Sequence, residues 1–60
     1  MNAVEIQTHA QKLFAAHGPK ADAEAATKVR DFEQKGDKEL AHDWKQIESA
    51  LQQMRGQRPS

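Results

Sequence analysis

Glu39 and His42 are the pair of side chains whose types and spacing come nearest to a reactive site in this chain. On a helix, Glu-x-x-His is the arrangement that carboxylate-bridged di-metal bundles point into their cores. At ~100° per residue, however, the two lie roughly 100° and 160° from Leu40 and face away from the apolar stripe that must pack inward. The spacing therefore predicts a solvated polar face. His9 and His17 miss the i, i+4 spacing of helix-borne zinc ligands. His17 falls near a helix end, where an imidazolium favours the C-terminal dipole; a pH-responsive contact is the sharper alternative. Thr8, Thr27, Ser49 and Ser60 are scattered, with no strand-to-helix elbow and no adjacent base, so none reads as a nucleophile. Gly18, Gly36 and Gly56 stand singly and cannot form a phosphate loop. No catalytic, cofactor-binding or metal-ligating residue is assigned, and the chain is not expected to be an enzyme.

The strongest pattern is apolar. Leu40, Trp44, Ile47, Leu51 and Met54 recur at alternating intervals of four and three, which places all five on one helical stripe. Tryptophan and methionine at such spacing are core in most helices, and they also suit a groove for another protein's helix. The two roles merge if the stripe is a self-association surface, and these five residues are the candidate protein-interaction site.

Two glycine signals divide the chain into three helical segments, expected over about residues 3–17, 19–35 and 38–55. Gly18 can close the first helix in a left-handed conformation and Pro19 suits the first turn of the next. Gly36 can end the second, and the Asp37 carboxylate can cap the third. Asn2 is the N-cap expected for the first helix, with Glu5 reaching back as in a capping box and Met1 and Ile6 at staple positions. Ala3, Ile6, Ala10, Leu13, Phe14 and His17 share a face from which Val4 is excluded. In the second segment Ala21, Ala25, Val29 and Phe32 share a face, with Ala26 at its edge. Glu24 with Lys28, and Asp31 with Lys35, have the spacing of stabilising ion pairs. Linkers this short favour antiparallel neighbours. The expected architecture is all-α: three helices in an up-down-up bundle or an extended hairpin. Residues 1–55 form one domain, and 56–60 are expected to be a disordered tail.

Size and charge bound the function. A chain of 60 residues buries only about 60% of the surface it exposes when unfolded. With no cysteine and no evident metal site, oligomerisation is the remaining common means of stabilising so small a core. A homo-oligomer is expected, a dimer by preference. Lysine plus arginine equals aspartate plus glutamate, and residues 1–17, 18–36 and 37–60 are each neutral by formal count. That balance disfavours nucleic acid and anionic membranes, which both need clustered cations. No bilayer-spanning stretch and no secretory segment is visible, so the expected address is the cytoplasm.

From Ala25 to Leu51 the chain resembles one tetratricopeptide-type helical hairpin. Phe32, Gly36-Asp37 and Ala41 stand near that family's aromatic, turn and small positions, whereas Val29, Trp44 and Ala50 depart from it. The resemblance implies an antiparallel helix pair suited to protein recognition. As a whole the chain is similar to small, uncharacterised helical proteins of bacteria, which implies no particular activity. The expected function is a noncatalytic interaction or structural module, self-associating and without cofactor. The alternative is a small dimeric nucleic-acid-binding regulator that concentrates Lys38, Lys45, Arg55 and Arg58.

Overall fold

A computed structural model of the protein describes residues 1–56, without the Arg55 side chain. Its helices begin and end at the caps the sequence supplies. Asn2 is extended (φ −88°, ψ 174°), and its side-chain oxygen accepts from the Glu5 N–H at 2.9 Å, which opens α1 at Ala3–His17. Met1 stays exposed instead of stapling onto the helix. Its ammonium lies 3.3 Å from Oδ2 of Asp43 in the third helix.

Gly18 departs from the expected left-handed closure. It adopts φ 60°, ψ −133°, and Gly18–Lys20 forms one 3-10 turn before α2, Ala21–Lys35, so the second helix starts two residues later than expected. Pro19 is the cause, because its ring crowds the preceding residue away from a helical ψ. Gly36 does take the left-handed conformation (φ 78°, ψ 12°). Its N–H donates to the Glu33 carbonyl at 3.1 Å and that of Asp37 to the Phe32 carbonyl at 2.9 Å, the paired closure of a Schellman motif. Asp37 then caps α3, Lys38–Gly56, by accepting from the Leu40 N–H at 3.2 Å. The third helix runs one residue past its expected end. Gln57 to Ser60, expected to be disordered, lie outside the described residues.

The fold is all-α. A two-residue connection folds α2 and α3 into an antiparallel hairpin, and α1 lies chiefly along α3 and touches α2 little. The molecule measures 41 × 22 × 19 Å. Ile6, Ala10, Ala21, Ala25, Ile47, Ala50 and Leu51 form one buried cluster, edged by Leu13, Trp44 and Met54. Val29 and Ala41 are buried outside that cluster, on the two hairpin helices. Among the described residues, five of the nine buried side chains are alanines, which lets the helices approach closely but removes little apolar area from water.

Several surface expectations change in three dimensions. Val4 is 73% exposed, as its place off the apolar face requires, but Phe14 is 37% exposed and His17 is on the surface. Only the narrow strip of Ile6, Ala10 and Leu13 packs inward, and Phe14 lies about 100° round the helix from Leu13. Neither expected ion pair of α2 forms. Lys35 instead places its ammonium 5.8 Å from the Phe32 ring centroid, and Glu33 reaches across the hairpin to Lys45 at 3.3 Å.

Candidate functional site

The hairpin and α1 together divide the α3 stripe in two. Ile47 and Leu51 are 0% and 1% exposed, with Trp44 and Met54 half-buried beside them. Leu40 is 36% exposed. The 3.3 Å contact of Met1 with Asp43 puts the start of α1 level with Asp43. Leu40 lies one turn nearer the Gly36 turn, past the end of the covering helix. Within a single chain the stripe is thus core at Ile47 and Leu51, core edge at Trp44 and Met54, and surface at Leu40. Phe32 on α2 is half-buried, with the Lys35 ammonium 5.8 Å from its ring centroid.

The polar candidates stay apart from this interior. Glu39 and His42 are both exposed, and His42 Nε2 lies 2.8 Å from Gln46 Nε2 one turn along. No group of three metal-ligating side chain types comes together among the described residues. His9 and His17 are exposed. The hydroxyls of Thr8 and Thr27 donate to the carbonyls of Val4 and Ala23 at 2.9 and 3.0 Å, a back-bond common for threonine within helices. Every buried side-chain nitrogen or oxygen among the described residues has a partner, so no orphaned polar atom marks a ligand site.

A shallow groove of about 440 Å³ lies on the other flank of the hairpin from Asp43, lined by Glu33, Gly36, Lys38, Ala41, His42 and Lys45. Of this lining, the sequence singles out Lys38 and Lys45 as candidate cations and His42 as a residue of the polar face. Its other wall is Glu33, whose pairing with Lys45 depends on how α2 and α3 register across the turn. That pair is exposed on both sides and contributes little to stability. Glu48 is half-buried. Arg58 and the Arg55 side chain lie outside the described residues. No helix among the described residues is long and apolar enough to cross a membrane.

Comparison of the chain with protein-family models, curated proteins and solved structures finds no match. The tetratricopeptide likeness therefore rests on the hairpin residues themselves.

Proposed function

We propose that this protein is a noncatalytic helical interaction module that self-associates through the third-helix stripe of Leu40, Trp44, Ile47, Leu51 and Met54. The observation carrying this reading is the thin interior of the single chain: among the described residues, Ile6, Val29, Ile47 and Leu51 are its only buried side chains larger than alanine, and a core so small is commonly completed by association.

Light scattering across a dilution series tests the proposal. A mass of at least twice 6.7 kDa that falls on dilution is expected, and a constant monomer mass at every concentration would refute it. A second reading, a dimeric nucleic-acid binder, draws on the groove that brings Lys38, His42 and Lys45 together. Glu33 already neutralises Lys45 there, which favours the first reading. Steep loss of a nucleic-acid complex with rising salt would reverse the preference.

A further inference from the structure

We infer that the surface of the α2–α3 hairpin filled by α1 also accepts the α1 of a second copy, giving an exchanged dimer in which each first helix packs on the other chain's hairpin. The inference rests on the self-association proposed above and explains how Ile47 and Leu51, enclosed within one chain, can take part in it.

Three observations lead to this arrangement. The attachment of α1 is slight: Ile6 and Ala10 are its only buried side chains, and Leu13 packs at the edge of the cluster. A helix of 15 residues is marginal in water by itself, so once detached it needs a hairpin to pack on. The connection is short and conformationally special. Gly18 holds φ 60°, ψ −133°, followed at once by Pro19 and a single 3-10 turn. Short, constrained hinges of this kind favour exchange of an element between copies. Finally, the second copy brings complementarity by identity. Its Ile6, Ala10 and Leu13 make the same contacts with Ile47, Ala50 and Leu51 that the closed chain makes internally, so exchange requires no new surface. Phe14, one turn before the hinge and 37% exposed in the closed chain, lies where the two chains cross.

The experiment alters the hinge and then the partners. Deleting Pro19 and Lys20 leaves α1 too little tether to fold back, and the expected mass is twice 6.7 kDa at concentrations where the native chain dissociates. Inserting Gly-Ser-Gly-Ser after Pro19 relieves the constraint and is expected to shift the mass toward 6.7 kDa at concentrations where the native chain is dimeric. In a complementation test, Ile6→Asp and Leu51→Asp variants each lose helicity alone. An equimolar mixture regains it, because an exchanged pair contains one intact α1 on one intact hairpin.

If the native chain dimerises but the mixture gains no helicity and the insertion leaves the dimer unchanged, exchange is refuted and association through the outer surface remains. A native chain that stays monomeric removes the self-association reading. If the complementing mixture also fails, exchange falls with it. If that mixture succeeds, the hairpin's capacity to take a second α1 stands independently.

Discussion

At the scale of single residues, burial ranks the stripe in an order that its even spacing does not reveal. Ile47 and Leu51 are enclosed, whereas Leu40 lies beyond the reach of α1. Ile47→Ala is therefore expected to cost ~2–5 kcal/mol, the range for removing a packed aliphatic side chain. Leu40→Ala should stay within about 0.5 kcal/mol of the native chain under dilute conditions, as surface substitutions do. Urea titration monitored by Trp44 fluorescence measures both, since Trp44 is the sole tryptophan and packs against the cluster. The five stripe positions were legible from the sequence because a 3.6-residue period is a local property. Their unequal burial was not, because it depends on where α1 begins beside Asp43. Phe14 illustrates the same limit: it lies on the apolar half of its helix, but the strip that packs is only as wide as Ile6, Ala10 and Leu13.

At the scale of elements, the breaks between helices were legible because glycine, proline and aspartate act on their immediate neighbours. Gly36 and Asp37 do what their types predict, closing α2 and opening α3 within two residues. Asp37→Ala is expected to cost ~1 kcal/mol through loss of the cap to Leu40. Gly36→Ala should cost ~1–2 kcal/mol from its left-handed φ, with no clash added because an extra Cβ meets nothing within 4 Å. Thermal melting of the two variants checks both values. Gly18 and Pro19 also mark a break, but its form differs from the left-handed closure their types suggest. The influence of Pro19 on the residue before it outweighs the ordinary glycine closure and inserts a 3-10 turn. Of the two ion pairs expected along α2, Asp31 with Lys35 gives way to the contact of Lys35 with the Phe32 ring; nothing in the structure explains the absence of the pair of Glu24 with Lys28.

At the scale of the whole molecule, the self-association proposed for an interior with few large side chains predicts that stability depends on concentration. Association of folded chains draws the equilibrium away from the unfolded state, so the melting temperature should rise as protein concentration is increased. It should respond weakly to salt, because the contacts proposed to join copies are apolar. Differential scanning calorimetry at several concentrations and two ionic strengths measures both dependences. The alanines that line the helix contacts also determine which substitutions the fold can survive. At Ala10, Ala21, Ala25, Ala41 and Ala50 a larger side chain would wedge the helices apart, and glycine alone is smaller. At those five positions random mutation therefore does damage chiefly by added bulk, whereas at Ile6, Val29, Ile47 and Leu51 it does so by lost bulk. Gains in robustness are to be sought on the outer helix faces, away from the capping residues Asn2, Gly36 and Asp37 and from the Gly18-Pro19 hinge.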